Sequence, residues 1–176
     1  KQDKIDFDEI RKSFNLKNQE NFENYLNNIF TDLCTYQGKK ELGVIVKAVV
    51  NVWDGVIMDD LKNLFEKSME HFGGKIDFIL HSIGMSINVR KGKHYTEMNY
   101  EWNAKTLDIS AMSLHRVLRT AWDMDALNEW GSVVALTYIA AQRVFPDYNE
   151  MADAKSLLES VTRSFGYHYG VKKKVR

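Results

Sequence analysis

Apolar positions change their rhythm along this chain. From residue 18 to residue 38, Phe22, Tyr25, Leu26, Ile29, Phe30 and Leu33 recur at intervals of three and four, the stripe of an amphipathic helix. Asn18 is placed to cap that helix and Gly38 to end it, and Phe7, Ile10 and Phe14 suggest a shorter helix before it. After Lys40 the texture shifts. ELGVIVKAVVNV (41–52) is nearly continuous in apolar residues, as a strand covered on both faces would be. A helical period follows in LKNLFEKSMEHF, which Gly73 and Gly74 stop, and KIDFILHSIG (75–84) reads as a second buried strand. A polar loop then leads to a helix from about Tyr100 to Met124. GSVVALTY (131–138) reads as a third strand, and residues 146–170 as a long helix with Pro146 in its first turn, where a missing N–H costs nothing. VKKKVR is expected to begin a fourth strand.

Strand and helix thus alternate over residues 41–176, which predicts an α/β fold: a doubly wound, Rossmann-like parallel sheet with flanking helices, preceded by a helical segment at 1–40. Ligands of such sheets bind beyond the carboxyl ends of the strands. Those ends are Asp54-Gly55, Ser82-Ile83-Gly84 and Thr137-Tyr138, each small, polar or aromatic after an apolar run.

Composition narrows the function by exclusion. The chain has 176 residues, 44% of them hydrophobic and 27% charged, with 24 basic and 24 acidic side chains. A net charge of zero gives no argument for a nucleic-acid or membrane partner. The basic cluster at Lys172–Lys174 and Arg176 reads as a solvated strand entrance. The single cysteine, Cys34, allows no intramolecular disulfide, fits a reducing cytoplasm and falls on the apolar face of a helix as a buried thiol. No apolar run approaches the ~20 residues that span a bilayer, and no run has the ligand order of a calcium loop. No metal site is expected.

Candidate chemistry gathers around the only proline. Tyr148 and Lys155 are seven residues apart, which on one helix would place them on one face, two turns apart. A neighbouring cation can favour the phenolate of a tyrosine whose ordinary pKa is ~10, and a lysine can donate to sugar hydroxyls. Tyr138, at the end of the preceding strand, is expected to point into the same space. With 8 tyrosines and 17 lysines, roughly one Tyr-x6-Lys pair arises by chance, so the spacing alone decides nothing. The setting adds more: a strand end, a short loop, a proline, and a helix with its own stripe at Met151, Ala154, Leu158, Val161 and Phe165.

Three stretches, HSIG, DISAMSLHRV and ALTYIAAQRVFPDYNEMADAKSLLE, make the run from about Val49 to Arg176 resemble a bacterial enoyl-acyl-carrier-protein reductase, a branch of the short-chain dehydrogenase/reductase family. The x6 spacing is the mark of that branch, where most relatives have Tyr-x3-Lys. The resemblance implies reduction of a trans-2-enoyl thioester on acyl carrier protein with NADH, NADPH not being excluded. It implies that Tyr148 stabilises the enolate, that Lys155 holds the nicotinamide ribose, and that Tyr138 and Met151 line the acyl pocket. Asp54 would take the adenine amino group, and Ser82, Ile83, Gly84, Ile109 and Leu136 would border the cofactor. It also implies a homotetramer packed through the helices at 100–124 and 146–169, with Trp122, Met124 and Trp130 as apolar contacts or core.

Residues 1–40 carry no match to that family: the first glycine is Gly38, and the glycine-rich strand-turn-helix that cradles a pyrophosphate is not found. The expectation is therefore a partial reductase domain at 41–176, without that unit and without the substrate-loop region that follows in the family. Two further readings stand beside it. One is a non-catalytic chain acting through protein association by its helical N-terminus. The other is a short-chain dehydrogenase for an alcohol or ketone, which the x6 spacing disfavours.

Overall fold

The computed structural model describes residues 43–46 and 58–176, all within the second of two units, Leu42–Arg176. The helices expected over residues 1–40, Cys34 and Asp54 lie outside the described residues. Three strands, β1 (Gly43–Val46), β2 (Ile76–His81) and β3 (Leu127–Ala135), form a parallel sheet in the order β1-β2-β3. Val44 pairs with Ile79, and Ile79 in turn with Val133. The parallel sheet with flanking helices is the expected class, and β1 and β2 pair directly.

Helix α1 (Met58–Phe72) joins β1 to β2. Asp59 and Asp60 in its first turn suit the positive end of the helix dipole. It stops where Gly73 takes φ +68, with Gly73 N–H bonded to Glu70 O and Gly74 N–H to Met69 O. The polar stretch after β2 is more ordered than its composition suggests. It holds a short helix, α2 (Ile87–Arg90), capped by Ser86, and a 3-10 turn at Tyr95–Glu97. Helix α3 (Tyr100–Leu107), capped by Asn99, passes through a π turn at Asp108–Met112 into α4 (Ser113–Asp123). After β3 come two 3-10 turns, Ile139–Ala141 and Pro146–Tyr148, and then α5 (Met151–Lys173).

One core fills the space between the helices and the sheet. Leu61 and Phe65 of α1, Leu114 and Val117 of α4, and Leu158 and Val161 of α5 meet Ile76, Ile79 and Leu127, all buried. Phe65 and Ile79 are fully buried, and burial of such a side chain contributes about 1.5–3 kcal/mol. Trp122 and Met124 pack against this core, whereas Trp130 stays 64% exposed under the Lys174 ammonium.

Three elements differ from the sequence reading. The third strand begins at Leu127 and ends at Ala135, not 131–138. A bulge hides its start: Trp130 takes φ +64, and a Cβ on Gly131 would stand 3.0 Å from Asn128 O and 3.2 Å from Asp77 O. The last helix begins at Met151 rather than Pro146, which instead opens the 3-10 turn before it. It also runs past Gly170 to Lys173, its dipole complemented by Lys172 and Lys173, and ends at a left-handed Lys174. Of the expected fourth strand, Arg176 pairs with β3, accepting from Val133 N–H at 2.7 Å and donating to Gly131 O at 3.0 Å.

Candidate functional site

The site lies beyond the carboxyl ends of β2 and β3, where the chain leaves the sheet at Ser82 and Leu136. Leu136 N–H bonds to His81 O at 3.0 Å, so the two exits are held side by side. Above them Lys155, on the first turns of α5, is 7% exposed and donates from Nζ to Leu136 O at 2.8 Å. Burial lowers its pKa from the ordinary lysine value. An ammonium has three donors, so two remain for a ligand.

Gly84 closes this arrangement from the β2 side. A Cβ there would stand 2.9 Å from Met151 Cε and 3.7 Å from Lys155 Nζ, so the backbone approaches the lysine only because the residue is glycine. Beneath it, Ile83, Met85 and Ile109 form a small buried cluster with Ile87 packed against it. The π turn presents Ile109 to this cluster and sets Ser110 to bond both the N–H and the carbonyl of Met85, at 2.9 and 3.0 Å. Such turns recur at functional sites because an added residue re-aims the helix face.

The two tyrosines meet across the gap between the 3-10 turns. The rings of Tyr138 and Tyr148 lie 4.7 Å apart at 44°, and Phe145 packs 5.4 Å from Tyr138. Tyr138 is 42% exposed, and Tyr148 is half-buried. The expectation that Tyr148 and Lys155 share one helix face is corrected: Tyr148 precedes the helix, in the Pro146–Tyr148 turn, and Asn149 with φ +47 separates the two segments. Nor is the phenol drawn down by a cation. Burial first, and then Tyr138, raise its pKa above the ordinary value, which keeps it protonated as a hydrogen-bond donor.

Several of the expected residues therefore come together: Gly84, Met151, Lys155 and Leu136 in one group, Tyr138 and Tyr148 in another, Ile83 and Ile109 in a third. Ser82 is exposed at the strand exit. Asp54 lies outside the described residues.

Sequence reasoning missed the polar residues beneath the site. His81 is fully buried, with Nε2 2.8 Å from Ser113 Oγ. Ser113 donates its own proton to Ile109 O, so Nε2 must carry the imidazole proton and Nδ1 is left bare. Burial, and then the Lys155 charge, lower the His81 pKa to about 4. Glu150 is also fully buried, its Oε1 accepting from Ser86 Oγ at 2.7 Å and Thr106 Oγ1 at 3.1 Å. One signal for it was present: Glu150 stands four residues before Ala154 and eight before Leu158, on the apolar stripe of α5.

Known proteins resemble this chain. The family model described as Enoyl-(Acyl carrier protein) reductase matches residues 37–176. The NADH enoyl-acyl-carrier-protein reductase 1 of Rhizobium meliloti (strain 1021) is 32% identical over 131 residues, 74% of this chain and 46% of that protein. Among solved structures, FabI from Alistipes finegoldii has 62% sequence identity and a TM-score of 0.67, over 68% of this chain and 45% of its own. A FabI–NADH complex from the same organism gives the same score and identity over 42% of its chain. The chain spans less than half the length of these relatives.

Proposed function

The chain belongs to the enoyl-acyl-carrier-protein reductase family, and from that premise we propose that it carries the tyrosine–lysine side of the site at which a trans-2-enoyl thioester is reduced. NADH, when bound, supplies the hydride. The residues present suit that cofactor: Gly84 leaves open the approach that a Cβ would fill, and Lys155 keeps two donors for ribose hydroxyls beside it. Ile83 and Ile109 offer an apolar floor. Tyr148 donates its phenolic proton in a hydrogen bond to the thioester oxygen, a donor aimed where negative charge develops. Its raised pKa suits a group that must remain a donor. Tyr138, Phe145 and Met151 shape the apolar side for the acyl chain.

The observation that carries this reading is the pairing of Tyr138 with Tyr148 in the segment between β3, whose exit Lys155 binds at Leu136 O, and α5. The enoyl group is proposed to arrive on acyl carrier protein. The setting is proposed to be the cytoplasm; no helix among the described residues is long and apolar enough to cross a membrane. Assembly is proposed to be a homotetramer through α4 and α5, whose outer groove is lined by His115, Ser164, Phe165 and His168.

The test is oxidation of NADH by the purified chain with a short trans-2-enoyl thioester, run beside Tyr148→Phe. Turnover that is lost in the variant supports the proposal. Turnover unchanged by Y148F removes Tyr148 from the chemistry.

A further inference from the structure

The turn that carries Tyr148 is followed at once by a carboxyl group without access to solvent. Glu150 is 0% exposed, and both of its side-chain partners come from elsewhere in the chain. Ser86 lies two residues beyond Gly84, on the stretch that leaves β2, and Thr106 lies on α3. Both hydroxyls converge on the same oxygen, Oε1, with Thr106 Oγ1 dividing its one proton between Oε1 at 3.1 Å and Trp102 O at 2.9 Å, and Oε2 has no partner among the described residues. Burying a carboxyl group this way is unfavourable unless its oxygens are bonded, and an apolar residue on the stripe of α5 would pack without that cost.

The backbone between Tyr148 and Glu150 is itself unusual. Asn149 takes φ +47, a conformation that favours glycine, and its own side chain holds it there. Asn149 Oδ1 accepts from Glu150 N–H at 2.7 Å, and Nδ2 donates to Lys93 O at 2.6 Å. A strained residue persists only where its surroundings over-determine it. The backbone N–H of residue 150 supplies one side of that constraint, and the Lys93 carbonyl supplies the other.

We propose that Glu150 is a positioning residue: by accepting from Ser86 and Thr106 it locks the turn of Tyr148 to the backbone that leaves β2 at Gly84. The tyrosine and the cofactor-facing segment then move as one body. The inference rests on the proposed role of Tyr148 for its consequence in catalysis, but not for its geometry.

The experiment reads Tyr148 directly, by NMR of the full chain labelled at tyrosine Cζ, with Y148F assigning the signal. In the parent protein that signal is expected to carry the ring-current shift of Tyr138 and to titrate above the ordinary tyrosine value of 10.0. Glu150→Ala is expected to abolish the ring-current shift and return the titration toward 10.0. Glu150→Gln keeps an acceptor for both hydroxyls, so it should preserve both features even though its amide nitrogen has no partner in the place of Oε2 and the melting temperature falls. Thr106→Val, which removes one donor, should shift the signal part of the way, and it decides the matter if E150A does not fold. A Tyr148 signal unchanged in E150A, or in T106V where E150A is unfolded, overturns the proposal. Equal loss in E150Q and E150A also overturns it, because the acceptor would then not be what matters. None of these readouts depends on turnover, so failure here is distinguishable from failure of the reductase reading.

Discussion

Gly84 faces Met151 so closely that a methyl group on its Cα would come within 2.9 Å of the methionine Cε. The same methyl would stand 3.7 Å from Lys155 Nζ, beside the donors proposed for the cofactor. Because Met151 Cε is the tip of a flexible side chain, it can yield. Gly84→Ala is therefore expected to cost only about 1 kcal/mol in stability, the low end of overpacking, while weakening dinucleotide binding far more. Thermal melts alongside an NADH titration separate the two. A large fall in melting temperature with unchanged binding would show that the glycine serves the fold.

Tyr148→Phe removes one donor and leaves the ring packed against Tyr138. The expected loss is about 10²- to 10³-fold in kcat, the scale of a lost oxyanion donor, with little change in KM for NADH. Steady-state kinetics on parent and variant check it.

His81 makes stability depend on pH. Its folded pKa, about 4, lies below the ordinary 6.5, so between those values the unfolded chain binds a proton that the folded chain refuses. Stability is full above about pH 6.5 and declines as pH falls toward 4, by an amount on the order of 3 kcal/mol at most. Denaturant melts at pH 7.5 and pH 4.5 for the parent and His81→Gln measure this as a difference between the two proteins. Parallel curves would assign the pH dependence to other groups.

Lys155 is the second cause of that low pKa, after burial. Lys155→Met takes away a positive charge, so the His81 titration should move upward and the pH window should narrow from its acid side. The same variant loses the bond to Leu136 O, and NADH affinity should fall with it. Imidazole NMR of the parent and K155M follows the first effect.

Leu158, 1% exposed in the centre of α5, tests the core without touching the site. Leu158→Ala is expected to cost about 2–5 kcal/mol. Val144→Ser, at a side chain 91% exposed, should leave the melting temperature nearly where it was.

The parts of this fold that could be read from the sequence are those in which one period or one terminator acts alone. Gly73 ends α1 because glycine accepts its φ of +68, and the stripe from Met151 to Val161 is buried as its spacing implies. The reading failed where geometry departs from its period. The bulge at Trp130 breaks the alternation of β3 and hides its first residues. The helical spacing of Tyr148 and Lys155 is broken by the positive φ of Asn149, which one tertiary bond, from its Nδ2 to Lys93 O, sustains. The tyrosine–lysine pair stands out in the sequence only through its setting and the family resemblance, because its spacing is one that chance supplies. His81 and Glu150 were not, because a polar residue inside an apolar run looks like an interruption until its partners, 32, 64 and 44 positions away, are brought to it.

The π turn at Asp108–Met112 has a consequence for how this chain tolerates changes in length. One residue added to a helix rotates everything before it by about 100° relative to everything after. Thr106 on one side of the turn thus faces Glu150, while Leu114 on the other faces the core. Two reading frames are spliced within a single helix, and the splice is one residue wide. Deleting any one of those five residues would leave a straight, fully bonded helix and swing Thr106 a quarter-turn away from its carboxyl partner. The backbone could absorb such a deletion, but the alignment of the site could not.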